Sequence, residues 1–158
     1  LPSTVRPTTD YAREAIFSML ESRGGLAGLV VADLYCGSGA MGIEALSRGA
    51  AKAYFFDSDG ACLAAARENC EGVHLPGEAV YMKATLPVWS PPEDLDLVLC
   101  DPPYGPLDLA ALLRGVRARR VVVENDRHME APEGWVVTKT KRYGTTLVTM
   151  LEPDEGDQ

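Results

Sequence analysis

Bases are scarce in this chain. Fifteen Lys and Arg stand against twenty-three Asp and Glu, a net charge of −8 over 158 residues. An acidic whole argues against holding nucleic acid by bulk charge, so any contact with phosphates must come from a local cluster. One exists between residues 114 and 142, where Arg114, Arg117, Arg119, Arg120, Arg127, Lys139, Lys141 and Arg142 outnumber Glu124, Asp126, Glu130 and Glu133. It reads either as a phosphate-facing surface or as scattered solvated charge. Histidine is nearly missing, and His74 and His128 have no partner spacing. Cys36, Cys62, Cys70 and Cys100 form no CxxC pair and lie among apolar or small residues, which favours buried reduced thiols over a metal or disulfides. No apolar run approaches the ~20 residues of a membrane span, and no basic-then-apolar leader opens the chain. A cytoplasmic protein without membrane or metal partners, and a monomer, is the expectation.

The apolar segments alternate in type. Helical spacing at Ala12, Ile16, Met19 and Leu20 follows a possible cap at Thr8 or Thr9 and stops at Gly24-Gly25. Runs 29–34, 51–57, 79–82, 95–100 and 119–124 read as strands, with helices expected after Gly39, after Asp59 and over 107–116. Runs 135–140 and 145–151, joined through Lys141-Arg142-Tyr143-Gly144, read as a terminal hairpin. Such alternation predicts an α/β fold, a mainly parallel sheet with helices on both faces and an antiparallel hairpin at one edge. Residues 1–7, with two prolines, are expected as an extended arm, 8–151 as one domain, and 152–158, with four acids and no base, as an acidic disordered tail.

Two constellations carry chemistry. Gly37-x-Gly39-x-x-Gly42 follows a strand and opens a helix, so backbone can approach a ligand closely and the helix N-terminus favours an anion. That anion can be a pyrophosphate or the carboxylate of a methionine moiety. Asp57, twenty residues after Gly37, is placed to accept from ribose hydroxyls, which NAD and S-adenosylmethionine share. An adenosine cofactor is implied, of either kind. The second constellation, Asp101-Pro102-Pro103-Tyr104, stops the strand 95–100 abruptly. Prolines bring no N–H, so a carboxylate, bare carbonyls and an aromatic face gather at a strand mouth. Such a group suits a planar base carrying an amine, whose NH2 it can accept from while the ring stacks. An exocyclic amine is a poor nucleophile, and acceptors that hold it in line with a sulfonium methyl supply catalysis by positioning. Hydride transfer has no evident need of this turn.

Arg6-Pro7-Thr8 with Arg13-Glu14-Ala15-Ile16-Phe17, Asp33-Leu34-Tyr35-Cys36-Gly37-Ser38-Gly39 with Gly42 to Ala50, and Asp101-Pro102-Pro103-Tyr104 occur together. In this combination the chain resembles the bacterial 16S ribosomal RNA guanine-N2 methyltransferases over most of residues 6–151. The resemblance implies a Rossmann-like class I methyltransferase sheet of seven strands that binds S-adenosylmethionine. It implies that Asp33, Tyr35, Gly37, Ser38 and Gly39 line the cofactor, that Asp57, with Ser58 beside it, holds the ribose, and that Asp101, Pro102, Pro103 and Tyr104 hold the guanine amine. It also implies 16S rRNA or an assembling small ribosomal subunit as partner. The rival readings are an N6-adenine methyltransferase on DNA or RNA, a non-catalytic RNA-binding or assembly module and, more distantly, a dinucleotide oxidoreductase. Two departures stand out. Lys83 occupies the place where the family carries Asp or Asn near the adenine; since a lysine cannot accept from the adenine amine, backbone at Ala84 or a shifted register is expected to supply the acceptor. The chain opens on Leu1, and only five residues precede Arg6, where the family carries a basic hairpin; part of the RNA-binding surface is expected to be missing.

Overall fold

A computed structural model describes residues 9–155. The arm expected over 1–7 and the cap expected at Thr8 lie outside the described residues. Helix α1 (Thr9–Glu21) buries Ala12, Ile16, Phe17 and Leu20 along one side. It ends where Gly24 and Gly25 take positive φ, the Gly25 N–H donating back to the Leu20 carbonyl at 3.0 Å. The parallel strands follow with their crossovers: β1 (Val30–Leu34), α2 (Ala40–Ser47), β2 (Lys52–Asp57), α3 (Gly60–Glu71), β3 (Glu78–Lys83), β4 (Leu95–Cys100), the short α4 (Leu109–Leu112) and β5 (Ala118–Asn125). The expected hairpin is β6 (Trp135–Tyr143) and β7 (Thr146–Pro153).

The sheet runs in the order β3-β2-β1-β4-β5-β7-β6, with β1 to β5 parallel and β7 antiparallel to both β5 and β6. Successive crossovers go outward from β1 to β2 and β3, then return past it to β4 and β5. The order therefore reverses between β1 and β4, and a crevice opens beyond their C-terminal ends, the place where ligands bind in open α/β sheets.

One face of the sheet packs against α1, α2 and α3 through Phe55, Leu97, Leu99, Val122 and Met150. The other face is covered thinly, by α4, the Trp89 loop, Leu107 and Met129. The long helix expected over 107–116 is one turn: the Asp108 carboxylate accepts from the Ala111 N–H at 3.0 Å, Leu113 closes the turn and Gly115 takes φ +71°. The apolar spacing that suggested a longer helix is real, because Leu109, Leu112, Leu113 and Val116 are all buried, but a turn delivers the last of them. Two residues expected in the acidic tail are sheet. Glu152 and Pro153 belong to β7, paired with Val136 and Trp135, and Glu152 accepts from Arg120 at 3.1 Å. Among the described residues no helix is long and apolar enough to cross a membrane.

Candidate active site

The crevice is built from the ends of β1, β2 and β4. β1 ends at Leu34, and Tyr35 then takes φ +58°, rare for a side chain larger than glycine, which swings the chain out of the sheet. Gly37 (φ +54°) and Gly39 (φ +90°) complete the turn into α2. The two glycines serve different ends. A Cβ on Gly37 would meet nothing within 4 Å, so that position faces open space; one on Gly39 would lie 3.0 Å from the Ala66 side chain of α3. Gly42 is tighter still, since a Cβ there would stand 2.4 Å from the Phe55 ring. Gly39 and Gly42 thus let α2 lie close on α3 and β2, and Gly37 leaves room for a ligand.

Three side chains fasten this turn. The Asp33 carboxylate, 1% exposed, accepts from the Gly42 N–H at 2.9 Å and fixes the first turn of α2 from beneath. Burial pushes its pKa up to about 8; the bond from Gly42 works against that rise, and the acids Glu124 and Asp57 add to it. Asp57 ends β2 and bridges, one oxygen accepting from the Gly37 N–H and the other from the Asp59 N–H, each at 3.0 Å. Asn69 of α3 donates to the Ser38 carbonyl at 2.9 Å. The hydroxyl of Tyr35 is raised to about 12, burial first, then Cys100 and Asp57.

Asp101 stands directly beside this turn. Its N–H donates to the Leu34 carbonyl at 3.4 Å, and the β1–β4–β5 register, Leu34 with Cys100 and Cys100 with Val123, sets Asp101 between Tyr35 and Glu124. Pro102 is buried, Pro103 is exposed, and Tyr104 is 41% exposed with its hydroxyl 3.4 Å from the Thr146 Oγ1 of β7. Gly105 (φ +125°) turns the loop back, and buried Asn125 at the end of β5 donates to its carbonyl at 3.2 Å. Asn125 itself accepts from the Asp126 N–H at 2.7 Å.

The structure therefore gathers Tyr35, Gly37, Ser38, Gly39, Asp57, Ser58 and Asp101 to Tyr104 at one end of the sheet. Asp33 lies under the turn rather than on its surface. Ala84 is close by, but its N–H already donates to the Asp57 carbonyl at 3.0 Å, so only its carbonyl remains for a ligand; Lys83, paired with Asp57 across β2 and β3, is exposed. Trp89 donates to the Leu112 carbonyl at 2.8 Å and sets its ring against Phe56, a packing role. Asn69, Asn125 and Thr146 escape sequence reasoning. The one local signal for Asn125 is that Glu124-Asn125 closes an otherwise apolar strand with two polar residues.

The eight-base cluster is split by the fold. Arg117, Arg119 and Arg120 lie along β5 or at its start and pair with Asp94, Asp96 and Glu152, and Arg127 pairs with Asp126. The groove of about 740 Å³ around Arg117, Arg119, Asp94 and Asp96 lies at the N-terminal ends of β4 and β5, at the other end of the sheet from the glycine turn. Lys139, Lys141 and Arg142 stand exposed on β6.

Comparison with known proteins agrees with this geometry. The "Putative rRNA methyltransferase YlbH" of Bacillus subtilis is 34% identical over 95% of this chain and 89% of its own length. "Ribosomal RNA small subunit methyltransferase D" of Haemophilus influenzae is 27% identical over 89% of this chain and 79% of its own. Among solved structures, a protein described as "Putative methyltransferase yhhF" from Escherichia coli superposes with a TM-score of 0.79 at 25% identity, covering 98% of this chain and 91% of that one. The fold is the class I methyltransferase fold, and more distant examples have been solved with S-adenosylmethionine or S-adenosylhomocysteine bound. A family model described as "Conserved hypothetical protein 95" matches residues 1–152, and the chain belongs to that family.

Proposed function

We propose that this chain transfers a methyl group from S-adenosylmethionine to the exocyclic N2 amine of a guanine in small-subunit ribosomal RNA. The observation that carries the reading is the placement of Asp101, with its exposed aromatic neighbour Tyr104, one strand position from the glycine turn in the crevice between β1 and β4. The turn fits the cofactor. Gly37 leaves open space where a side chain would stand, and Asp57, although it already accepts one N–H at each oxygen, keeps a lone pair on each for ribose hydroxyls. Asp33 keeps the turn in shape; Tyr35, Ser38, Ser58 and the Ala84 carbonyl border the same space.

The cofactor supplies a methyl group on a positively charged sulfur, which leaves as a neutral thioether when a nitrogen lone pair displaces it. Asp101 and the Pro102 carbonyl accept from the guanine NH2, orient its lone pair and favour a more pyramidal nitrogen. Tyr104 offers its ring face to the base, held by the contact of its hydroxyl with Thr146. The methylated nitrogen releases one proton, to Asp101 or directly to water. A guanine reached in this way must be unpaired or turned out of its stack. The relatives named for rRNA methylation support the substrate class, and the joint resemblance of stretches 6–17, 33–50 and 101–104 to the guanine-N2 family supports guanine N2.

The test is incubation with a labelled methyl donor and small-subunit rRNA or particles lacking the modification, followed by nucleoside analysis. N2-methylguanosine is the expected product. N6-methyladenosine would overturn the choice of base, and absence of label from both substrates would overturn the enzyme reading.

A further inference from the structure

We propose that Tyr11, Tyr143, Lys141 and Lys139 form a track for the single-stranded RNA segment flanking the target base. The inference rests on the RNA methyltransferase reading and deepens it. β6 and β7 turn at Gly144 beside the C-terminal ends of the parallel strands, so Tyr143 and Thr146, which are paired in register, stand next to the target site. From Tyr104 the contacts run without a gap: its hydroxyl lies 3.4 Å from Thr146, Thr146 faces Tyr143 across the hairpin, and the Tyr143 and Tyr11 rings meet in a T-shaped contact, centroids 5.5 Å apart and planes at 79°. Lys141 sets its ammonium 5.6 Å from the Tyr143 ring centroid.

Tyr11 is 65% exposed, although it is large and half apolar. A largely exposed ring steadied by a T-shaped contact with a second ring is a platform on which a base can stack. The charge next to it has the right sign. β6 carries Lys139, Lys141 and Arg142 and no acid, in a protein whose net charge is −8. Lys139, Lys141 and Tyr143 alternate along the strand opposite Met150, Val148 and Thr146, so they share the face of the sheet on which α1 packs. Of the acids that α1 brings to this end, Asp10 is engaged by Arg13 at 3.0 Å, and Glu14 faces solvent. Lysines on an edge strand also discourage pairing with other sheets, but that need gives no reason for two tyrosines beside them. Phosphates along the lysines and a base on Tyr11 account for both.

The experiment measures binding of unmodified small-subunit rRNA and particles to wild type, to Tyr11→Ala and to Lys139→Glu/Lys141→Glu, with S-adenosylhomocysteine affinity as the control for folding. Each variant is expected to bind RNA about tenfold more weakly, the lysine variant with a shallower salt dependence, and both to hold S-adenosylhomocysteine as wild type does. Wild-type RNA affinity in Tyr11→Ala overturns the track and leaves a plain basic edge. Defects with particles and none with protein-free rRNA would assign the strip to a ribosomal protein, which also overturns it. Variants that bind and methylate as wild type does sink the track and spare the enzyme reading. RNA binding that depends on the strip, without a methylated product, does the reverse.

Discussion

Asp33 and Asp101 are carboxylates at the ends of neighbouring strands, and their surroundings give them different work. Asp33 is sealed under the glycine turn, where burial outweighs the stabilising N–H of Gly42 and lifts its pKa to about 8. An unfolded aspartate titrates near ~3.9, so between these values the folded protein binds a proton that the unfolded chain does not. This contribution to stability is complete at low pH and is lost as pH rises through about 8. Melting temperatures of wild type and Asp33→Asn across pH 5 to 9 check it: wild type should lose stability relative to the variant as pH rises, and a constant difference would refute the raised pKa. Asp101 is half-buried at the end of β4, beside the glycine turn and Tyr104. Asp101→Ala should lower kcat for methyl transfer by roughly a hundredfold or more, the scale seen when one positioned polar group is removed, while calorimetry finds S-adenosylmethionine affinity nearly unchanged. Full turnover in that variant would end the amine-positioning role.

The glycine turn and the Asp-Pro-Pro-Tyr loop are positioned by packing and by side chains far away in sequence. Gly42→Ala presses a methyl into the Phe55 ring, where a Cβ would stand 2.4 Å away. It should cost ~1–3 kcal/mol, read as a lower urea midpoint, and weaken cofactor binding through the displaced α2. Asn125→Ala removes the donor that holds the Gly105 carbonyl; a fall in kcat with unchanged S-adenosylhomocysteine affinity is expected, and a wild-type kcat would leave Asn125 a purely structural residue. These elements also show what can be read from a one-dimensional chain. The strands, the turn and the hairpin were legible because Val, Leu and glycine placement follows local periodicity and local φ. The clamps by Asn69, Asn125 and Thr146 were not, since each bond joins residues 20 or more apart. The same reason misassigned Glu152, which looks like tail until Arg120 and Val136 are brought beside it.

Over the whole molecule, charge and cover are distributed unevenly. Arg117, Arg119 and Arg120 each stand within ion-pair distance of an acid, whereas β6 carries Lys139, Lys141 and Arg142 exposed and holds no acid, in a protein whose net charge is −8. The long helices lie on one face, so the crevice is walled by α2 and α3 on that side and by loops on the other. A ligand that fills it binds only the folded chain. S-adenosylhomocysteine at a hundred times its dissociation constant should add about 2.7 kcal/mol and raise the melting temperature by several degrees, whereas NAD should not; equal shifts from both would reopen the oxidoreductase reading.

Sheet order and synthesis order disagree at the antiparallel edge as well. β7 follows the other six in the chain yet lies inside the sheet, with β5 on one side and β6 on the other. A ribosome making this protein therefore releases β5 with a bare hydrogen-bonding edge and β6 with no neighbour in its final sheet until Thr146 to Pro153 has emerged. Thr146, the contact of Tyr104, arrives in that same strand. A nascent chain can form the glycine turn early, but the Asp-Pro-Pro-Tyr loop gains its brace from Thr146 only when the interior strand slides into place between β5 and β6.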